Sequence, residues 1–241
     1  MSKLPILMYH NVCQSDSDCN KLTVSVQNLE RQFQYLTEKG YKTFHFSELN
    51  IMKAIPKKSI ILTFDDVTEN QLIYALPLLE KFKLKASFFI PFQYIGKTDL
   101  WNESTGEPAQ KIMTIEQLKQ LPSEIIELGY HSYQHNRYQT LSPLEIQNDF
   151  LKCEEEIKSH NLNVYPALAY PYGNYPKEST EKANFKTLIS ENKMKFGLKI
   201  GNRPNTFPFK DNYEVKRIDI KGLDSLMVFK LKIKFGKLKL F

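Results

Sequence analysis

Short apolar runs of strand type alternate along this chain with stretches whose apolar residues recur at helical spacing. That alternation restricts the fold to helices packed on a parallel sheet, either open or closed into a barrel. Ile6–Tyr9, Ser59–Phe64, Ala86–Ile90, Ala167–Tyr170, Phe196–Ile200 and Glu214–Ile220 predict strands, and Glu127–Tyr130 reads as another before His131. Val26, Leu29, Phe33 and Leu36 predict a helix that ends near Gly40. Leu72, Leu76, Leu79 and Phe82 predict a second, which Pro77 either kinks or divides. Two more helix starts are written as capping boxes, Thr114 with Gln117 and Ser142 with Glu145, the latter followed by Pro143. The helix after Ser142 carries Ile146, Phe150, Cys153 and Ile157 on one face. No internal repeat, low-complexity tract or flexible linker interrupts the chain, so residues 1–241 read as one domain. Periodicity alone does not choose between open sheet and barrel.

Composition narrows the function classes. With 41% hydrophobic and 25% charged residues, a disordered, collagen-like or disulfide-stapled chain is excluded. The net charge of +6 is mostly local: five lysines and no acid lie in the tail 229–241, and without them 28 basic residues face 27 acidic ones. A nearly neutral body predicts no nucleic-acid partner. The tail alternates lysines with apolar residues. It predicts a terminal edge strand, with a basic amphipathic segment resting weakly on an anionic membrane surface as the alternative. MSKLPILMYHN has no apolar stretch of signal-peptide length, which predicts a cytoplasmic protein, peripheral at the inner membrane face if the tail binds lipid. Cys13, Cys19 and Cys153 make an odd set without a C-x-x-C pair and predict reduced thiols.

The polar residues of interest share a place, the C-terminal end of a predicted strand, where parallel α/β folds build their sites. His10 ends ILMYH, Asp65 and Asp66 end IILTFDD, His131 and His135 follow ELGY, and Pro171–Tyr172 follow ALAY. Adjacent carboxylates beyond a buried strand point in different directions, so one can ligate a cation while the other takes a proton; helix capping is the plainer reading of the same pair. His131 and His135, expected on one helical turn, present two imidazoles to one face. Ser132 stands where a zincin needs glutamate, so that protease reading fails. With a carboxylate, the two histidines predict a divalent metal site suited to zinc and open also to cobalt, nickel or iron(II); two exposed histidines on a polar loop are the plainer reading of the pair. His45 and His160 are expected at the surface.

Thr63-Phe64-Asp65-Asp66, His131-x3-His135 and Ala169-Tyr170-Pro171-Tyr172-Gly173, in that order, resemble the polysaccharide deacetylases, the nodulation-protein-B homology group of carbohydrate esterase family four. Leu7-Met8-Tyr9-His10 resembles the branch acting on exopolysaccharides, and the resemblance runs from about Leu4 to Ile220. It implies a deformed (β/α) barrel of about seven parallel strands, one divalent metal and hydrolysis of acetyl groups, chiefly N-acetyl, on a saccharide, a carbon–nitrogen bond other than a peptide bond. Residue by residue, it implies Asp65 as general base, Asp66, His131 and His135 as metal ligands, and the Tyr172 backbone N–H as an oxyanion donor. Pro171 lies in the substrate-facing motif. Trp101, in the polar stretch 96–111, is a candidate for stacking on a sugar ring or for anchoring a loop.

Three departures stand out. Val67 replaces the glycine that usually follows the paired aspartates, and Ala169 stands where an arginine often orients the base. No histidine follows His160, so the usual late acid is missing and His10 becomes the candidate proton donor, with a buried histidine bonded to backbone as the alternative reading. The missing groups keep two rivals open: a non-catalytic glycan-binding or scaffold protein on the same barrel, and a hydrolase of a small non-sugar amide. A serine hydrolase is excluded by the lack of G-x-S-x-G.

Overall fold

The computed structural model describes residues 2–101 and 108–237. Among them, seven parallel strands close into a barrel: β1 (Ile6–Tyr9), β2 (Ser59–Asp65), β3 (Ala86–Ile90), β4 (Ile126–Tyr130), β5 (Val164–Ala169), β6 (Phe196–Ile200) and β7 (Val215–Asp219). Each strand lies beside its neighbours in sequence, and the ring closes where β7 and β2 both pair with β1. The crossovers carry α1 (Val26–Glu38), α2 (Phe46–Ile51), α3 (Leu76–Phe82), α4 (Ile115–Gln120), α5 (Pro143–His160) and α6 (Ser179–Glu191), and α7 (Leu226–Phe235) follows β7. No helix joins β6 to β7 among the described residues. That link instead carries the short strand Asn205–Phe207, antiparallel to Ser2–Leu4. The expected seven-stranded barrel is therefore borne out. No helix among the described residues is long and apolar enough to cross a membrane.

Strand parity explains where the site forms. Side chains alternate sides along a strand, and the buried residues divide accordingly into two clusters. Ile6, Ile61, Phe89, Ala167, Ala169, Leu198 and Val215 pack together in one. Leu7, Tyr9, Leu62, Phe64, Phe88, Ile90, Leu168 and Tyr170 pack in the other, with the apolar faces of the helices. The first set shares its parity with His10, Asp65, His131 and Arg217, so those polar groups crown the barrel interior rather than the helix layer. Beneath His131, Gly129 leaves room for Phe89: a Cβ there would stand 2.6 Å from the ring.

Local chemistry accounts for the helix boundaries. Both capping boxes form, and Ser25 and Ser225 cap α1 and α7 by accepting from Asn28 and Val228 N–H. Pro77 opens rather than kinks its helix. It sits in the first turn of α3, and the preceding turn, Gln71–Ala75, widens to a π-helix. All three cysteines are free, with Cys13 and Cys19 Sγ 3.8 Å apart. His45 is not a surface residue: it is buried at the N-terminus of α2, its Nε2 bonded to the Ile125 carbonyl.

The expected edge strand at 229–241 is corrected by α7; positions 238–241 lie outside the described residues. The period-two look of FKLKIKF conceals Phe229 and Ile233, four apart, which bury one helical face against α1 beside Tyr35. Lys232 is buried as well, donating to the Asp219 carbonyl and pairing with Asp224. Phe229→Ala is expected to cost about 3–5 kcal/mol of unfolding free energy, as for a fully buried phenylalanine. Urea unfolding checks it: a loss under about 1 kcal/mol would mean that α7 is not integral to the core.

Candidate active site at the C-terminal edge of the barrel

Four strand ends bring the predicted residues together. The β1–β2 ladder pairs Tyr9 with Phe64, and the next residues, His10 and Asp65, stand side by side with His10 Nε2 3.8 Å from Asp65 Oδ2. Asp66 and Val67 follow with φ of 74° and 42°. Across this left-handed turn the two carboxylates take different partners, Arg217 for Asp65 and the two imidazoles beyond β4 for Asp66. Such a conformation is rare for a β-branched residue, and complete burial of Val67 among apolar side chains offsets it. The turn thus forms with valine in place of the usual glycine.

Beyond β4, His131 and His135 do not share a helical turn as expected. They lie on an irregular loop in which Ser132 and His135 have positive φ, and Ser132 Oγ accepts from the His135 N–H. The loop folds back on itself and still brings the two Nε2 atoms within 3.2 Å. Asp66 Oδ1 lies 3.4 Å from His131 Nε2 and 3.5 Å from His135 Nε2. Asp65 Oδ2, by contrast, sits 3.8 Å from His131 Nε2 and 3.8 Å from His10 Nε2, between the triad and the candidate acid.

The Asp66–His131–His135 set fits a divalent cation. Ligands about 2.0–2.1 Å from a tetrahedral centre stand about 3.3 Å apart, close to these separations. The His131 Nδ1–H donates to the Ala169 carbonyl at 2.8 Å, which leaves Nε2 with its lone pair toward the triad. Burial pushes the His131 pKa down to about 4, and burial together with His131 lowers that of His135. Both imidazoles are therefore neutral at pH 7 and able to ligate. Asp66 Oδ1 is buried with no hydrogen-bond partner. Burial and the charges of Asp65 and Asp99 raise its pKa well above the carboxylate range, a strain that a cation at this point relieves.

Asp65 is tuned the other way. Burial alone would raise its pKa, but the Arg217 guanidinium, followed by His131 and His10, holds it well below the ordinary value. Arg217 grips both carboxylate oxygens, NH1 to Oδ1 at 2.5 Å and NH2 to Oδ2 at 2.8 Å, and is only 1% exposed. The arginine lacking at Ala169 is thus supplied in space from β7. Sequence reasoning missed it, although a signal was there: in Val215-Lys-Arg-Ile-Asp219, Arg217 shares its strand face with apolar Val215. Burial lowers the His10 pKa, with Asp65 opposing.

The mouth of the site is aromatic. Tyr172, left-handed at φ 57°, places its ring edge-on to His135 with centroids 4.8 Å apart, and the Arg137 guanidinium lies 3.9 Å over the Tyr172 ring. Pro171 is buried in the turn that carries Tyr172, and Gly173 allows the turn to press on Ile200. Trp101 stacks on His135, centroids 4.1 Å apart at 20°, and meets Tyr94 edge-on, so one face of its indole backs a candidate ligand.

Comparison with known proteins agrees with this architecture. The family model described as polysaccharide deacetylase matches residues 53–188, more than half of the chain. YxkH of Bacillus subtilis, a protein assigned to the polysaccharide deacetylases, is 30% identical over 186 residues, 76% of this chain and 61% of that relative, so this chain spans about three fifths of its length. A poly-beta-1,6-N-acetyl-D-glucosamine N-deacetylase of Staphylococcus epidermidis is 25% identical over 233 residues, 90% of this chain and 74% of that protein. Among solved structures, the Streptococcus pyogenes deacetylase PplD, in complex with acetate, superposes with a TM-score of 0.76 at 21% identity, covering 96% of this chain and 98% of that one. IcaB from Ammonifex degensii gives 0.75 at 20% identity, with 97% of both chains covered. At these identities the superpositions speak for the fold.

Proposed function

Because the chain belongs to the polysaccharide deacetylase family, we propose that it is a metal-dependent hydrolase removing N-acetyl groups from an acetamido sugar in a glycan or glycan precursor. One observation carries this reading: a buried carboxylate, Asp65, held by Arg217, stands between an Asp-His-His triad and a second histidine at a single barrel edge. The chemistry of the staphylococcal relative, deacetylation of poly-N-acetylglucosamine, supports the substrate class.

Asp66, His131 and His135 would hold the cation, zinc by donor type. Bound there, it supplies Lewis acidity, drawing charge from the acetamide carbonyl and acidifying the attacking water. Asp65, locked by Arg217, accepts the water proton as the carbon–oxygen bond forms. The turn at Tyr172 offers its backbone N–H to the developing oxyanion. His10 then delivers a proton to the departing amine as the carbon–nitrogen bond breaks. Neutral at rest, it can be recharged by Asp65, 3.8 Å away. Trp101 and Tyr172 flank the entrance and would bear on the sugar rings.

Acetate release from an N-acetylglucosamine oligomer, with zinc or cobalt present, tests the reading. Stripping metal with a chelator is expected to remove activity by on the order of 10³-fold, and adding metal back to restore it. Oligomer binding without acetate release under zinc, cobalt, nickel and iron(II) would replace this reading with the glycan-binding one.

A further inference from the structure

We infer that Gln71 is a positioning residue whose buried amide clamps the main chain of His10 to that of Asp65 and so fixes the spacing of proton donor and base. The inference rests on the deacetylase reading for the roles of those two residues, but the clamp itself is a matter of geometry. Gln71 Nε2 donates to the His10 carbonyl at 2.8 Å and to the Asp65 carbonyl at 2.6 Å. Both partners are carbonyl oxygens, which only accept, so the orientation of the amide is dictated and both of its hydrogens are used. The side chain is completely buried.

The position of the clamp gives it a task. On the β1–β2 side the backbone ladder stops at Tyr9 opposite Phe64, and His10 and Asp65 are the first residues beyond it. Beyond those rungs side chains tie the two strand ends, Thr68 Oγ1 and Asn70 Nδ2 both donating to Asn11 Oδ1. Asn70 adds a second stitch, its Oδ1 accepting from the Val12 N–H at 2.9 Å. The backbone is bent to deliver Gln71: left-handed Asp66 and Val67 turn the chain back, and Gln71 opens the π-helical turn. π-Helical turns are rare and occur frequently at functional sites. The arrangement is also not optimised for stability, because Gln71 Oε1 is buried without a partner, which costs folding free energy.

Two substitutions separate clamping from packing. Gln71→Met keeps the length and volume but removes both donors; Gln71→Asn keeps the donors on a shorter arm. Clamping predicts that Gln71→Met loses more kcat than Gln71→Asn, by about 100-fold against wild type, with KM within about threefold, since misplacement of about 1 Å is enough. Packing alone predicts the reverse order. The result that overturns the inference is Gln71→Met turning over within about threefold of wild type, or the reversed order. Hydrogen exchange supplies a reading independent of activity. Amides around His10 and Asp65 should exchange faster in Gln71→Met, while those of α5 stay unchanged. Unaltered exchange at the two strand ends overturns the clamp. Wild-type protein that releases no acetate overturns the deacetylase reading, and the exchange result still decides whether Gln71 ties the ends together.

Discussion

Asp65→Asn is expected to lower kcat for acetate release about 10³-fold while leaving the metal content unchanged, because asparagine keeps the shape of the proposed base and cannot take the proton. The geometry separates the two carboxylates clearly. Asp65 is tied to Arg217 through both oxygens, whereas Asp66 Oδ1 is the oxygen near both histidines of the triad. A substitution at 65 should therefore spare the ligands, and Asp66→Asn should instead lower metal affinity. The substitution also leaves Arg217 buried without its anion, so a fall in activity could come from unfolding alone. Asp65→Asn combined with Arg217→Met removes both charges and guards against that. If the double variant melts near wild type, binds metal and still turns over poorly, the loss is chemical. Activity within tenfold of wild type in either folded variant would remove Asp65 from the role of base.

Much of this site was legible before any coordinates, and parity is the reason. A side chain one residue past a buried strand inherits the strand's alternation, so His10, Asp65 and His131 could be placed on a common edge from short apolar runs alone. Local chemistry likewise announced both capping boxes. What escaped depends on contacts that local patterns do not encode. Arg217 meets Asp65 across 152 residues of chain, and a lone arginine in a strand carries no mark of its partner. His131 and His135 have helical spacing but follow a strand end, and the loop that unites them depends on positive φ at Ser132 and at His135 itself. Lysines at alternate positions in the tail suggested an edge strand, but α1 offers an apolar surface that rewards residues four apart, and tertiary contact outweighed period two.

Arg217→Met is expected to be the most destabilising single substitution at the site, by about 3–5 kcal/mol, because it strands a buried carboxylate without its counter-charge. The sign with pH follows from the direction of the Asp65 shift. In the wild type the folded-state pKa lies below the unfolded value, so the ion pair contributes fully above about pH 5, and the contribution fades as pH falls toward the folded pKa. In the variant, burial acts on Asp65 without the guanidinium to oppose it, its pKa rises, and the charged form no longer favours folding. The melting temperatures of wild type and variant should therefore be furthest apart near neutral pH and converge in acid. Asp65→Asn placed on top of Arg217→Met should restore part of the lost stability, the mark of a coupled pair. It should not restore activity. A difference in melting temperature that is flat from pH 7 to about pH 4, or a double variant no more stable than Arg217→Met, would show that Arg217 serves packing beside Phe89 rather than the charge on the base.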